Sequence, residues 1–129
     1  MSRSRTRTLL ATATVVLLIV ALSAVADASP ARGTITTIRG IGGSLYTSSH
    51  WSPRRVSIEE GSRVRWRSVS FDHVLAAYGG NWTFHHSLPE GTSVRKRFPD
   101  AGTYLFRCRI HSTLVNGDCQ GMCGKIVVH

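Results

Sequence analysis

After residue 30 no stretch of the chain sustains an apolar repeat at the helical period. Short runs of alternating apolar and polar residues are instead broken by glycine or proline roughly every eight to twelve residues. That cadence predicts a β-sandwich or barrel. Candidate strands are Thr34–Ile41, Val56–Glu59, Arg63–Ser68, His73–Tyr78, Ser93–Phe98, Thr103–Arg109 and Lys125–His129. The turns between them fall at Gly42-Gly43, Glu60-Gly61, Gly79-Gly80, Pro89-Glu90-Gly91, Pro99-Asp100-Ala101-Gly102 and Asn116-Gly117-Asp118. Seven strands in about 100 residues fit two packed antiparallel sheets.

Alternation places Val56, Ile58, Val64, Trp66, Val74, Val94, Phe98, Tyr104, Phe106, Ile126 and Val128 in the core. Arg63, Arg65 and Arg67 alternate with Val64 and Trp66, so they share one solvated strand face. Ser93–Phe98 alternates poorly, because Lys96 then points inward with Val94 and Phe98; an edge strand or a bulge is expected there. Residues 43–51 read as an irregular connection.

The first residues set the compartment. Arg3, Arg5 and Arg7 precede an uncharged apolar run, Leu9 to Val25, and Ala24-Val25-Ala26 and Ala26-Asp27-Ala28 are small-x-small cleavage signatures. This is the layout of a secretory signal peptide over residues 1–26, with cleavage after 26 or 28. An uncleaved anchor is the alternative, since the run lies at the short limit of ~17–25 residues for crossing a bilayer. Residues 27–129 then form a single domain. The chain has 16 Lys and Arg against 7 Asp and Glu, and three of those arginines lie in the leader. The remaining net charge of about +6 suggests acidic partners or an anionic surface, while nucleic acid is a poor partner for an exported protein.

The tail, "YLFRCRIHSTLVNGDCQGMCGKIVVH", holds all three cysteines, with His111 three residues after Cys108 and Met122 between Cys119 and Cys123. An odd number of cysteines outside the cytosol leaves one thiol that needs a use. Three readings compete. Cys119 and Cys123 could close a small disulfide ring, leaving Cys108 unexplained. Cys108, His111, Cys119 and Cys123 could staple the domain around zinc, leaving Met122 and His73 idle. Or a soft thiolate, borderline imidazoles and a weak thioether could serve a copper couple, with Cys108, His111 and Met122 from the tail and a second histidine from elsewhere in the fold.

At this point the chain resembles a known family. "GTYLFRCRIH" and "MCGKIVV", with "WSPRRVSIEEGSRVRWRSVSFDHVL" upstream, are similar to the cupredoxins, the small blue copper proteins related to plastocyanin and pseudoazurin. The similarity covers about residues 50–129. It implies a Greek-key antiparallel β-sandwich of about seven strands and one copper ion cycling between Cu(I) and Cu(II). The implied ligands are His73, Cys108, His111 and Met122. It further implies a non-enzymatic, monomeric carrier that passes single electrons between redox protein partners outside the cytoplasm. His111 would be the exposed ligand, and Leu114 and Val115 a small apolar docking surface beside it.

Two departures stand out. Ten residues separate His111 from Met122, where familiar members have only a few, and the inserted segment contains Cys119. A Cys119–Cys123 disulfide is expected to pin that insertion and return Met122 to the metal. Asp72 stands where many relatives carry Asn beside the first histidine, and an ionised carboxylate cannot donate toward the cysteine sulfur. The remaining histidines, His50, His85, His86 and His129, are expected at the surface, and Trp66 and Trp82 in core or lid positions. A copper carrier without a redox role and a zinc-stapled structural domain remain the rival functions.

Overall fold

The computed structural model describes residues 33–43 and 48–129, so the expected signal peptide over 1–26 lies outside the described residues. Among those residues there is no helix, and none long and apolar enough to cross a membrane. The strands are β1 (Ile35–Ile41), β2 (His50–Ser52), β3 (Arg55–Ile58), β4 (Arg63–Ser68), β5 (His73–Tyr78), β6 (His85–Leu88), β7 (Ser93–Arg97), β8 (Gly102–Val115) and β9 (Asp118–Val128). They form a four-stranded sheet in the order β2-β1-β4-β7 and a five-stranded sheet in the order β3-β9-β8-β5-β6.

The sandwich expected from the sequence is present, with two corrections. Nine strands are formed among the described residues, not seven, and the sheets are mixed: β1 runs parallel to β4, and β3 parallel to β9. The parallel pairs arise because the chain changes sheets between β2 and β3 and again between β3 and β4, so each strand returns beside one it does not directly follow. The two additional strands lie at sheet edges. β2 forms within and just beyond the stretch read as irregular, pairing His50–Ser52 with Ile41–Arg39. β6, with the sequence His-His-Ser-Leu, buries only Leu88 and pairs with β5 alone. Neither carries the alternating apolar residues that reveal a strand from sequence.

Val56, Ile58, Val64, Trp66, Phe98, Phe106, Ile126 and Val128 are buried as expected, while Val94 and Tyr104 pack against the core half-buried. In β5 the inward residues are His73 and Leu75, and Val74 is only half-buried. Ile38, Trp51, Leu88, Cys108 and Met122 complete the core. β7 is an edge strand, and Lys96 faces inward there as the alternation required. Its ammonium lies 5.4 Å from the Phe84 ring and 6.0 Å from the Trp82 ring, so aromatic faces receive the charge of this half-buried side chain.

The inserted segment is a β-hairpin extending β8 and β9 beyond the body of the sheet. Ser112–Val115 pair with Gly121–Asp118, and Asn116 and Gly117 turn the corner at φ 53° and 86°. Positive φ at both central residues gives the two-residue turn that matches strand twist, for which Asn-Gly is the strongest sequence signal.

Candidate metal centre

The turn between β4 and β5 delivers His73. Ser68 Oγ donates to the Phe71 carbonyl at 2.6 Å, Phe71 N donates to Glu90 Oε2 at 3.1 Å, and Glu90 N donates to Asp72 Oδ1 at 2.9 Å. Two carboxylates thus clasp this turn to the one between β6 and β7, and Phe71 is held at φ 63°, a costly conformation for a side chain of its size. His73 emerges fully buried. Its ring packs 5.5 Å from that of Trp51 and against the backbone of Gly40, where a Cβ would sit 2.8 Å from His73 Cδ2 and 2.9 Å from Trp51 Cζ3.

Cys108 and His111 come from a break in the β8–β9 ladder. Arg107 pairs with Cys123 and Ser112 with Gly121, so the four residues 108–111 lie opposite the single residue Met122. The bulged segment is tied down locally. Ser112 Oγ donates to the Cys108 carbonyl at 2.6 Å, and Arg107 Nη1 donates to Ser112 O and Oγ at 3.3 Å. Gly121, at φ 99°, lets the partner strand pass the His111 carbonyl, which a Cβ would approach to 2.5 Å.

Three ligand atoms converge. His73 Nδ1 and His111 Nδ1 are 3.2 Å apart, and Cys108 Sγ lies 3.7 Å from the first and 3.4 Å from the second. A triangle with those edges has a point about 2.0 Å from every corner, close to the ~2.0–2.3 Å at which imidazole nitrogen and thiolate sulfur bind a transition-metal ion. The other ring nitrogen of His73, Nε2, is buried with no hydrogen-bond partner. The arrangement therefore fits a metal ion held by Nδ1 of both histidines and by the sulfur. Burial, and then the proximity of His111, lowers the His73 pKa from its ordinary 6.5; burial also lowers that of His111. Both shifts favour the neutral rings, whose lone pairs can serve as ligands. The Val74 N–H donates to the sulfur at 3.4 Å.

Met122 is fully buried in the same core cluster as Cys108. Its carbonyl accepts a hydrogen bond from Trp51 Nε1 at 3.1 Å, so one indole both packs on His73 and holds the Met122 backbone. Cys119 and Cys123 form a disulfide with a Cα–Cα distance of 6.1 Å. Four residues of extended strand would span about 13 Å, so β9 is sharply bent between them, at Gly121. The pairing removes both sulfurs from metal ligation, which overturns the zinc set Cys108, His111, Cys119 and Cys123. Cys108 is the free cysteine, and it is buried.

Asp72 lies in the turn, its carboxylate engaged by Glu90 N, while a backbone amide supplies the hydrogen bond to sulfur. Leu114 and Val115 lie on the hairpin arm at 43% and 45% exposure, with Ile110 at 45% next to His111. A cleft lined by Ile110, His111, Thr113 and Gln120 opens beside them. His85 and His86 lie exposed on β6, His50 binds the Ser48 carbonyl, and His129 pairs with Glu59. Trp82 packs half-buried against the core, with its Nε1 donating to Leu105 O, and Trp66 is fully buried. Trp51, Gly40, Ser112 and the Val74 amide support the site without having been singled out for it from sequence. Only Trp51 left a trace there, as the aromatic of the Trp-Ser-Pro run.

No protein-family model and no curated protein matches the chain. Solved structures do. A purple cupredoxin from Nitrosopumilus maritimus is 21% identical, with a TM-score of 0.57 over 73% of this chain and 99% of that one. A reduced amicyanin variant is 18% identical, with a TM-score of 0.56 over 74% of this chain and 82% of that one. A copper-containing nitrite reductase from Thermus scotoductus is 20% identical with a TM-score of 0.56; the match covers 73% of this chain but only 22% of the enzyme. Two mixed sheets that superpose on these proteins over about three-quarters of this chain give it the cupredoxin fold.

Proposed function

We propose that the chain is an exported blue copper protein that carries single electrons between protein partners. The observation that carries this reading is the triangle of His73 Nδ1, Cys108 Sγ and His111 Nδ1 around a point suited to a metal ion. Thiolate and imidazole together favour copper over harder ions, and buried Met122 would supply the weak thioether donor that suits a cuprous/cupric couple. Bound copper would supply a one-electron couple that needs no accompanying proton. The chain's own contribution is to hold the donors still. His73, Cys108 and Met122 are shut off from water, and the Val74 N–H stabilises negative charge on sulfur. Half-exposed His111 forms the edge through which a partner is reached, with Ile110, Leu114 and Val115 as the apolar docking surface. Residues 1–26 serve export and residues 27–129 form the mature domain; the disulfide accords with an oxidising compartment. The partners are acidic, so electron-transfer rates should fall as salt rises.

The nitrite reductase resemblance covers the carrier fold alone, and no second metal cluster is found among the described residues; the activity proposed is electron carriage, not nitrite chemistry. A copper carrier without redox cycling is the second reading, favoured by the same donor set. Cu(II) added to the full-length protein should give an intense visible band and a reversible one-electron potential. Cys108→Ser should abolish the band, and Met122→Leu should retain copper with a shifted potential. A colourless complex, or a band that survives Cys108→Ser, rejects the proposal; a band without reversible cycling leaves the carrier.

A further inference from the structure

The outer face of the four-stranded sheet is a grid of guanidinium groups. Arg63, Arg65 and Arg67 project from β4, opposite the inward Val64, Trp66 and Ser68. In register beside them stand Arg97 opposite Arg63, Arg95 opposite Arg65, and Arg39 opposite Arg67. The strands β1, β2, β4 and β7 contain no aspartate or glutamate. Among the described residues none of the six arginines takes part in an ion pair. Arg97 Nε donates to the Gly61 carbonyl, and Arg65 Nε is buried without any partner.

Like charges directly opposite one another in a sheet oppose its formation, and every one of these positions would accept threonine or glutamate as a strand residue. With strands about 4.8 Å apart and alternate residues about 6.7 Å apart along each, the grid covers roughly 10 by 13 Å. That is close to the ~8 Å screening length of physiological salt, so the charges act together.

We propose that this face adsorbs the protein onto an anionic lipid bilayer. The grid is two-dimensional, as a plane of headgroups is, rather than a stripe suited to one polymer strand. It has no aromatic residue on which bases could stack. It also lacks the apolar centre that anchors protein interfaces; its large apolar side chains, Ile35 and Ile41, lie at the two ends of β1. Each guanidinium presents a planar fork that suits a phosphate group. The orientation leaves the metal site accessible, because the arginines face away from the five-stranded sheet that supplies Cys108 and His111. The adsorbed protein would therefore present its candidate metal rim sideways, along the membrane plane. This inference does not depend on metal binding.

The test uses the full-length protein and flotation with two vesicle types, phosphatidylcholine alone and phosphatidylcholine with about 30% phosphatidylglycerol. The apolar N-terminal run contributes on both, and Arg3, Arg5 and Arg7 beside it contribute equally to wild type and to every variant. Wild type should bind the anionic vesicles far more tightly at low salt and lose that excess at about 0.5 M salt. Replacing the central pair, Arg65→Gln with Arg95→Gln, should weaken anionic binding about 25-fold, or fivefold per arginine. Arg65→Lys with Arg95→Lys should largely retain it. Arg54→Gln with Arg55→Gln makes the same change in net charge at the start of the other sheet's β3 and should have little effect. Equal losses in the two Gln pairs would reduce the effect to net charge and overturn the proposal. So would unchanged binding by the central Gln pair, or binding to inorganic polyphosphate without binding to anionic vesicles.

Discussion

The metal triangle is assembled from two regions held by different physics. His73 is fixed by the core: it is fully buried, its ring lies against Trp51, and Gly40 leaves no space behind it. Cys108 and His111 are fixed locally, by a bulge clasped through Ser112 and Arg107 and by a partner strand folded back through a disulfide. The histidine position should therefore fail through overpacking, and the tail through loosening. Trp51 joins the two, packing on one ligand and hydrogen-bonded to the residue opposite the others.

The sharpest way to break the core-held half is Gly40→Ala. The added Cβ meets ring atoms of His73 and Trp51 below 3.0 Å, and neither ring has room to retreat. A cost of about 1–3 kcal/mol in stability is expected from overpacking, with copper affinity falling at least tenfold because Nδ1 of His73 is displaced. Denaturant unfolding of the metal-free protein and a copper titration measure the two effects. Unchanged affinity would mean that His73 is not held by this contact.

The tail-held half should respond differently. Cys119→Ser with Cys123→Ser removes a cross-link over a very short loop, worth about 2 kcal/mol by loop-closure entropy. Cys108 and His111 keep the Ser112 and Arg107 bonds, so copper should still bind, with a shifted potential and faster metal exchange as Met122 loses its restraint. Voltammetry and competition with a chelator separate these outcomes. Complete loss of binding would show that the disulfide, and not the bulge, builds the tail half.

This difference also explains what the sequence could reveal. Tail ligands lie within fifteen residues, so spacing marks them as one cluster, but disulfide, zinc and copper readings compete there until the family resemblance selects copper. Arg63–Ser68 and His73–Tyr78 were readable to the residue because apolar side chains punctuate them. The phase of β5 was not: Val74 looks like the core residue, yet the strand turns His73 and Leu75 inward, because a buried imidazole carries no hydrophobic signature. β2 and β6 escaped detection because edge strands draw their pairing from neighbours, not from their own pattern. In sequence the hairpin arm shows only as an insertion with an Asn-Gly turn signal. The close approach of Gly40 to His73 left no trace, since a glycine that makes room for a ring looks like any other glycine in a strand.

The smallest effect compares the two histidines through protons. Both have pKa values below 6.5, His73 through burial and the neighbouring His111, and His111 through burial alone. In the unfolded chain both take up protons near 6.5, whereas the folded protein resists until its lower values are reached. The unfolded state thus binds more protons in that window, so the metal-free protein should lose stability as pH falls below about 6.5 and level off once the folded-state values are passed. Removing one histidine should make the slope shallower. His111→Ala should do so twice over, by deleting its own contribution and by relieving the repulsion that helps to depress His73. Melting temperatures of metal-free wild type and His111→Ala between about pH 5 and 7.5 test this. If the two curves run parallel, the imidazoles do not share one site in solution, and the core-held and tail-held halves are not joined as the distances between them require.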